Sequence, residues 1–437
     1  MRYAVISKGL TITELQLEVN RCGGKNLRVA VASKQVFCDL DDVGLVRLRT
    51  VPGLTVKKIG KISTDISAPS ITPIPPPTLA GMPVYGASQA SLSSGFYDLR
   101  NAFDPPLVGA RSTLAILDSG VRKTHEGLLN KFVYEANFSD SPTCEDIFDH
   151  GTGVAYLACG GTNGPGEESG ITPGAYFMNI KVLNDIGVGT EEAAVLGIEC
   201  VIELKEQAVQ QGLSPSDPFY PSGLNMSWGA PDDGDPDNPI RVACRALPEH
   251  GLLAFASAGN GGPNPGTVTM PACEPLPAVV AVGVVTISPF QIAEYSSRGP
   301  TKEGFIKPDG VFFGHRMLTA SSKSDTAYTI KSGTSFAAPG IAGAANLGAE
   351  LLMRLLGQEI VDIPEGVELV KENLMKYAVK PAGIPAGQDN NYGYGLPAGD
   401  LILGAVRPAL MDLSMITPIL GLAMVGMMVP SLIKGMK

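Results

Sequence analysis

The feature that most constrains the fold is an alternation of short apolar runs and helix-like segments through the middle of the 437-residue chain. The runs YFMNIKVL, GLNMSWG, LLAFASAGN and AVVAVGVV each have the length of a buried strand, and EEAAVLGIECVIELKEQAV between the first two has the length of a helix. Such alternation predicts a mostly parallel sheet with helices on both faces. Functional residues of such sheets gather at the carboxyl ends of the strands. The residues that follow each run are therefore the candidates for chemistry.

A hydroxyl, a carboxylate and an imidazole occupy positions of this kind. Ser335 lies in SGTSFAAPG, after a Gly-Thr turn and before an Ala-rich helical segment, where free N–H groups and the helix dipole favour negative charge. Asp118 ends the run LAILD, and His150 opens the helix-like segment DHGTGVAYLAC. Asp, His and Ser then follow one of the known chain orders of a catalytic triad. A serine before a helix is also a common N-cap, so Ser335 alone decides nothing.

Asn260 is a fourth candidate, because it follows the strand-like run in AFASAGN. A buried asparagine amide can donate a hydrogen bond to a developing oxyanion, together with the backbone N–H of Ser335.

The segments DSG, HGTGVA, AGN and SGTSFAAP resemble, in order, the four signature blocks of subtilisin-like serine proteases, the subtilases. LNMSWG, YSSRGPT, KPDG and NYGYGLPAGDL agree as well, so the resemblance covers roughly residues 113–401. It implies a serine endopeptidase with Asp118, His150 and Ser335 as triad, and with Asn260 and the Ser335 N–H as oxyanion hole.

The chain departs from the family pattern in two places. Gly153 and Gly340 stand where the family usually has histidines, and KPDGVFFG replaces the family's usual KPD-apolar-Val-Ala-Pro-Gly. The family histidines at these places are not the catalytic base. We therefore expect altered helix packing and local strand geometry, with the chemistry intact.

The resemblance also implies how a polypeptide substrate is held. Its main chain would pair as an added strand beside Ser227, Trp228 and Gly229. The backbone of Ala258 and Gly259 would form part of the pocket for the residue before the cut. Since glycines, and no acidic residue, follow Asn260, an apolar or small residue is expected in that pocket.

Residues 1–62 read as a separate β-α-β-β-α-β unit, which predicts a small ferredoxin-like α+β fold. Ahead of a subtilase domain, such a unit resembles the inhibitory propeptide of that family. It holds 11 basic and 5 acidic residues, a net charge of +6, which leaves 22 basic and 38 acidic residues, a net −16, for the remainder. Opposite charges favour docking of the two parts. A nucleic-acid partner is not expected, because no basic cluster with interleaved aromatic residues is present.

The remaining boundaries follow from composition. Residues 63–94 form a Pro/Ser-rich linker, expected to be extended, exposed and to contain a processing site. The catalytic domain would cover residues 95–410, and a hydrophobic tail residues 411–437. Leu413 to Ile433 is a run of 21 residues without a charge, long enough to span a bilayer. A hydrophobic helix that docks into another protein is the alternative.

We expect membrane association through this tail, with the side of the membrane left open. The N-terminal segment MRYAVISKGL lacks the apolar run of a signal peptide.

Several other residues could be mistaken for site residues. His125, His250 and His315 are expected to be structural or solvated. The acidic loop with Asp232, Asp233, Asp235 and Asp237 suits a structural calcium ion, but acidic Pro/Gly loops are usually only solvated, and no cofactor is otherwise required. Seven isolated cysteines, an odd number without CxxC spacing, indicate reduced core thiols.

Two functional hypotheses follow. The first is a membrane-tethered serine endopeptidase, made as a self-processing zymogen, that acts on polypeptides and on its own propeptide. The second is a catalytically silent scaffold or assembly subunit that keeps the subtilase fold and attaches through its tail.

Overall fold

The computed structural model describes residues 1–64, 85–110, 112–161, 169–356 and 364–411. Most of the predicted linker and all of the apolar run of the tail lie outside these residues. The strands are β1 (Arg2–Ser7), β2 (Lys25–Ala30), β3 (Gln35–Asp39), β4 (Leu54–Lys58), β5 (Lys61–Ser63), β6 (Thr113–Asp118), β7 (Phe132–Asn137), β8 (Tyr176–Lys181), β9 (Val188–Thr190), β10 (Pro221–Met226), β11 (Ala230–Pro231), β12 (Leu253–Ser257), β13 (Thr269–Met270), β14 (Val280–Thr286), β15 (Gln291–Ile292), β16 (Gly310–Phe313), β17 (Met317–Ala320), β18 (Tyr328–Lys331), β19 (Ala378–Val379) and β20 (Leu396–Pro397). The helices are α1 (Ile12–Arg21), α2 (Asp42–Arg49), α3 (Ala87–Ser93), α4 (Phe96–Asn101), α5 (Gly151–Cys159), α6 (Glu191–Gln210), α7 (Pro239–Ala246), α8 (Thr334–Leu356), α9 (Pro364–Lys376) and α10 (Gly399–Met411).

The central sheet has eight strands and is mostly parallel. Parallel pairing runs through β7, β8, β6, β10, β12, β14 and β16, and β15 is antiparallel to β14. All six residues of β6 are buried, because both faces of the sheet are covered. Leu114 and Ile116 contact one apolar core, and Ala115 and Leu117 contact the other. The predicted α/β architecture is confirmed.

Helices cover both faces of this sheet. Residues of α5 and α8 belong to the same core as Leu114, and residues of α6 and α7 belong to the core on the opposite face. Helix α6 begins at Thr190, whose side chain accepts the N–H of Ala193, and Glu191 and Glu192 place negative charge in its first turn.

The N-terminal unit is the antiparallel α+β structure that the sequence predicts. Its strands lie in the order β2-β3-β1-β4, with α1 and α2 between them in the chain. Helix α1 begins in a capping box, in which Thr11 and Glu14 exchange side-chain-to-backbone hydrogen bonds. The unit has an apolar core of its own, which includes Val5, Leu15 and Val36.

This unit docks on α6 through both apolar and charged contacts, since Ala4, Ala30, Phe37 and Ile62 are buried in the same apolar core as the residues of α6. The Arg2 guanidinium binds the Glu192 carboxylate twice, at 2.6 and 2.7 Å. The Glu199 carboxylate accepts the backbone N–H groups of Ala32 and Ser33, both at 2.8 Å, and the Ser33 hydroxyl at 2.5 Å. Two further ion pairs join the parts, between Lys8 and Asp237 and between Lys57 and Asp235. The opposite net charges of the two parts therefore meet at their interface.

Two local predictions need correction. The β-α-β-β-α-β pattern predicts one strand at the end of the N-terminal unit, in the run LTVKKIGKI. That run instead divides into β4, which stays in the N-terminal sheet, and β5, which pairs antiparallel with β9. The expectation of extended, exposed chain up to residue 94 is wrong for α3. Its residues Ala87, Ala90 and Ser91 are buried, and Ala87 and Ala90 belong to the apolar core that contains Leu114. The chain after α3 also approaches α10 closely. A Cβ on Gly95 would lie 2.5 Å from the Asp400 nitrogen.

The two glycines that replace family histidines lie where helices contact neighbouring strands. A Cβ on Gly340 in α8 would lie 2.2 Å from the Phe312 ring, and a Cβ on Gly153 in α5 would lie 3.0 Å from Thr319 Cγ2. Phe312 belongs to β16, the strand formed by the divergent KPDGVFFG segment. Both glycines therefore allow close helix–strand contacts in this chain, and a change of packing relative to the family stays a prediction.

Among the described residues, Thr334–Arg354 is long and apolar enough to cross a membrane. Most of this segment is buried in the core, and core helices commonly pass the same test. It gives no more than weak support for membrane association, and the tail that motivated that prediction is not described.

A buried ion pair in the KPDG segment generates a stability prediction. Lys307 Nζ lies 2.6 Å from Asp309 Oδ2, which also accepts the N–H of Ala281 at 2.7 Å, and both side chains are almost completely buried. Replacing Lys307 by Met should lower the free energy of unfolding by about 3–5 kcal/mol, because it leaves a buried carboxylate without its cation. Burial raises the pKa of Asp309, so this loss should shrink as the pH falls through that pKa and the carboxyl becomes neutral.

The control is the double variant Lys307→Met/Asp309→Asn, which keeps an acceptor for Ala281 and removes both charges. Its loss should be below about 2 kcal/mol. Urea unfolding in a Ser335→Ala background, followed by the fluorescence of the single Trp228, measures both. Equal losses in the two variants would contradict the charge argument.

Candidate active site

The site lies at the carboxyl ends of three adjacent strands, β6, β10 and β12. Asp118 is the last residue of β6, Ser227 follows β10, and Asn260 lies three residues beyond β12. Two helices begin over the same edge: His150 directly precedes α5, and Ser335 is the second residue of α8. Sheet order thus brings together residues that are far apart in the chain.

Asp118 and His150 form a buried pair. The Nδ1 atom of His150 lies 2.8 Å from Asp118 Oδ1, which also accepts the Ser119 N–H at 2.7 Å. Asp118 is completely buried and His150 is 8% exposed. With Nδ1 bound to the carboxylate, Nε2 is the nitrogen that can take up a proton. The Phe336 ring lies against the imidazole, with 5.2 Å between centroids.

Ser335 is held against Ser227 by two hydrogen bonds. The Ser335 hydroxyl donates to the Ser227 carbonyl at 3.2 Å, and the Ser227 hydroxyl donates to the Ser335 carbonyl at 2.8 Å. Asn225 donates in turn to the Ser227 hydroxyl at 2.8 Å. The Ser335 hydroxyl therefore points at a backbone carbonyl in this structure, and not at the imidazole.

The Asn260 amide is oriented by Thr334, the residue before Ser335. Asn260 Oδ1 accepts the Thr334 N–H at 2.9 Å and its hydroxyl at 3.2 Å. The Thr334 hydroxyl also accepts the Gly259 N–H at 3.2 Å. Gly259 has φ +107°, and a Cβ there would lie 2.7 Å from the Ser297 hydroxyl, so glycine is required at this turn. Because the Asn260 amide oxygen accepts both hydrogen bonds from Thr334, the direction of the Asn260 NH₂ group is fixed.

A strand of the N-terminal unit lies beside Ser227. On one side β5 pairs with β9, and Thr64 donates its N–H to the Gly187 carbonyl at 3.2 Å. On the other side Ser63 exchanges both backbone hydrogen bonds with Gly229, at 3.0 and 2.9 Å. The chain therefore fills, with its own segment, the added-strand position predicted for a substrate.

The predicted substrate-binding residues form two groups, Ser227–Gly229 after β10 and Ala258–Gly259 after β12. In the first group, Gly229 pairs with β5 and Ser227 contacts Ser335. The Trp228 side chain is completely buried and donates to the Leu117 carbonyl at 2.8 Å, so only its backbone faces the cleft. The N–H and carbonyl of Ala258 and Gly259 are all bonded within the protein. These two residues can therefore shape a pocket wall but have no backbone group left to bind substrate strongly.

Sequence reasoning missed Asp146, Thr334 and the strand β9. Asp146 stands four residues before His150, and Thr334 directly before Ser335, so proximity to candidates was a usable signal for both. The short segment Val188–Thr190 carries no comparable signal, because its role depends on a strand from the N-terminal unit.

The other histidines are engaged elsewhere. His125 Nε2 lies 2.8 Å from the Ala327 carbonyl, its Nδ1 accepts the Gly127 N–H, and burial lowers its pKa. His315 contacts Tyr295, and burial lowers its pKa too. His250 lies 3.4 Å from Glu206.

All seven cysteines lie in the described residues and are unpaired, five of them buried. Burial raises the pKa of Cys38 and Cys200 to about 11.

The acidic loop is engaged in protein contacts. Asp232 accepts the N–H groups of Gly234 and Lys302, Asp233 accepts the Asn238 amide, and Asp235 and Asp237 pair with lysines of the N-terminal unit. In the part of the chain that the structure describes, no three His, Cys, Asp or Glu side chains are grouped to hold a metal ion. Calcium binding by this loop stays a prediction.

Comparison with known proteins identifies relatives. Serine protease AprX of Bacillus subtilis is 28% identical over 263 residues, which cover 55% of this chain and 57% of that protein. Subtilisin DY of Bacillus licheniformis is 31% identical over 240 residues, 55% of this chain and 77% of that protein. The alkaline extracellular protease of Yarrowia lipolytica is 28% identical over 246 residues, 55% of this chain and 48% of that protein.

The chain thus spans between about half and three quarters of the length of these relatives. The match to the subtilase family covers residues 109–395, more than half of the chain, and includes Asp118, His150, Asn260 and Ser335. The chain belongs to the subtilase family, the subtilisin-like serine proteases.

Proposed function

We propose that this protein is a serine endopeptidase that cuts polypeptides through an acyl-enzyme formed on Ser335. The observation that carries the proposal is the Asp118–His150 pair, bonded at 2.8 Å at the sheet edge from which the helix bearing Ser335 begins. An aspartate on one ring nitrogen leaves the other to serve as general base.

The mechanism follows from these positions. His150 takes the proton of Ser335 as the hydroxyl oxygen attacks the scissile carbonyl, and then gives it to the leaving amine. Asp118 holds the imidazole in one tautomer and stabilises the imidazolium. The Asn260 amide and the Ser335 N–H bind the oxyanion of the tetrahedral intermediate. Removing one such donor costs about 10²–10³ in turnover, a magnitude known from subtilisin itself.

We also propose that residues 1–64 act as an inhibitory prosegment that Ser335 removes. The support is the position of β5, which is bonded on both sides in the cleft beside the proposed nucleophile. In an antiparallel pair the two chains run in opposite directions, so a segment with residue 63 opposite residue 229 would have residue 65 opposite residue 227. Ser227 contacts Ser335, so cleavage is expected close to position 65, at the start of the predicted linker.

The first test is the intact mass of full-length protein beside that of Ser335→Ala. Wild type should separate into a prosegment ending near residue 65 and a mature enzyme, and Ser335→Ala should stay whole, because intramolecular attack requires the hydroxyl. A fluorophosphonate probe should label Ser335 of the mature protein. A folded sample that is neither labelled nor cleaved would instead support the scaffold hypothesis. Cleavage of Ser335→Ala at the same bond, in a host lacking other proteases, would contradict the proposal that Ser335 cuts its own prosegment.

The second test is inhibition of the mature enzyme by residues 1–64 added in trans. Inhibition should weaken as salt rises from 0.1 to 1 M, because screening shortens the range of ion pairs from about 10 to about 3 Å. Arg2→Gln should weaken inhibition by about tenfold or more, since it removes two charge-assisted hydrogen bonds to Glu192.

The matched control is Arg21→Gln. Arg21 is exposed and pairs with Glu18 inside the prosegment, so its loss should leave inhibition unchanged. Inhibition that does not depend on salt would mean that the interface is held by apolar contacts.

Membrane attachment through the tail is a separate proposal, supported by the 21 uncharged residues from Leu413 to Ile433. Full-length protein should pellet with membranes and resist carbonate extraction. A chain ended after Leu410 should be released with unchanged activity. Recovery of intact protein in the supernatant without detergent would overturn this proposal.

A further inference from the structure

A buried carboxylate beside the triad has no part in the mechanism above. Asp146 is 4% exposed and stands four residues before His150. Its two oxygens accept hydrogen bonds from the hydroxyls of Ser119 and Thr152, at 2.8 and 2.7 Å, and from the backbone N–H groups of Asp149, His150 and Thr152, at 2.9, 3.3 and 2.9 Å. Every donor belongs to the segments that carry Asp118 and His150.

Ser119 connects the two segments. Its hydroxyl donates to Asp146 and accepts the Gly151 N–H at 3.0 Å. Ser119 directly follows Asp118, and Gly151 directly follows His150. The chain of bonds from Asp146 through Ser119 to Gly151 therefore fixes the distance between the strand end with the carboxylate and the helix start with the imidazole.

Asp146 also supplies the cap that α5 lacks. His150 occupies the N-cap position of this helix, but its side chain makes no capping bond. The first N–H groups of a helix need acceptors, and a negative charge there is stabilised by the helix dipole. Because Asp146 accepts the N–H groups of His150 and Thr152, the imidazole is free to bind Asp118.

We propose that Asp146 is a positioning residue for the His150–Asp118 pair. It holds the helix start at the strand end, and its negative charge adds to that of Asp118 in stabilising the imidazolium formed during catalysis. The proposal rests on the proposed function, in which His150 is the general base.

Other charges around His150 have their own partners. Lys331 lies 3.4 Å from Asp149, whose carboxylate also accepts from Ser321 and Ser322. On the sheet side Lys181 contacts the carbonyls of Ser119 and Glu145 and lies 3.1 Å from Asp185. Beyond these are Arg122, paired with Asp325, and Lys323, 3.4 Å from the Ile147 carbonyl.

The kinetic test compares Asp146→Asn, Ser119→Ala and Asp149→Asn in full-length protein that has processed itself. Asp146→Asn removes the negative charge and replaces one acceptor oxygen by an NH₂ group, which cannot accept the hydrogen bonds that Asp146 receives. Its kcat should fall by about tenfold or more, and its KM should stay within about threefold of wild type. Ser119→Ala keeps the charge and breaks the bridge, and kcat should fall by a smaller factor. Asp149→Asn is the matched control: it removes a carboxylate from the same loop, at φ +70°, which asparagine tolerates, and kcat should change by less than threefold.

A second measurement does not depend on activity. In a Ser335→Ala background, the pKa of His150 can be followed by NMR of its imidazole, assigned by loss of the signal in His150→Gln. Asp146→Asn should lower this pKa measurably, because a nearby negative charge favours the protonated ring. Ser119→Ala and Asp149→Asn should lower it by less.

The outcomes separate the two proposals. Failure of the wild-type protein to react with a fluorophosphonate would overturn the proposed function. The NMR measurement on His150 would still test the role of Asp146 in that case. Asp146→Asn with kcat within twofold of wild type and an unchanged His150 pKa would overturn the positioning role. If Asp146→Asn does not fold, Ser119→Ala decides the question. An unchanged kcat in Ser119→Ala would overturn the positioning role of Asp146. A loss of kcat in Ser119→Ala with the pKa of His150 retained would support that role.

Discussion

Parallel pairing of β6 with β10, and of β10 with β12, is the interaction on which the site depends. Side by side, the three strands end at one edge, so the carboxylate of Asp118, Ser227 and the amide of Asn260 lie together, although Asp118 is 109 positions from Ser227 and 142 positions from Asn260 in the chain. Helix α8 completes the arrangement, because its core face packs on β10, β12 and β14 while its first turn presents Ser335. The apolar packing that stabilises the domain is thus the same packing that positions the groups proposed to be catalytic.

Besides the apolar packing of Ala4, Ala30 and Phe37 against the core of α6, the N-terminal unit uses two kinds of polar contact that complement each other. Backbone hydrogen bonds of β5 are indifferent to side chains and specify only that the strand is extended and in register. Carboxylates of α6 and of the acidic loop, in contrast, bind particular side chains and backbone groups of the folded unit. A loose peptide could supply the first set of bonds but not the second. The folded N-terminal unit therefore makes contacts with the rest of the chain that an extended peptide alone could not make.

Much of this could be predicted from the sequence, since it rests on local signals. The strand ends at Asp118 and Asn260, the helix starts at His150 and Ser335, and the β-α-β-β-α-β order of the first 62 residues all follow from runs of neighbouring residues. What could not be predicted depends on distant partners. The exit of β5 from its own sheet requires β9 and Gly229, and the burial of Ala87 and Ala90 requires the distant residues of the core that contains Leu114. The several donors that meet at Asp146 converge only after strand β6 and helix α5 are packed together.

The contact between Gly340 and Phe312 has a consequence for how this chain can change. With 2.2 Å between a hypothetical Cβ and the ring, neither residue can revert towards the family pattern alone: a side chain at 340 collides with the ring, and a small residue at 312 leaves a void against α8. The two positions are therefore sterically coupled, and a change at one requires a compensating change at the other. A chimera that takes α8 from one relative must take β16 from the same source. Consensus design chooses the residue at each position separately. Replacing either Gly340 or Phe312 alone by the usual residue of the family should therefore destabilise the domain.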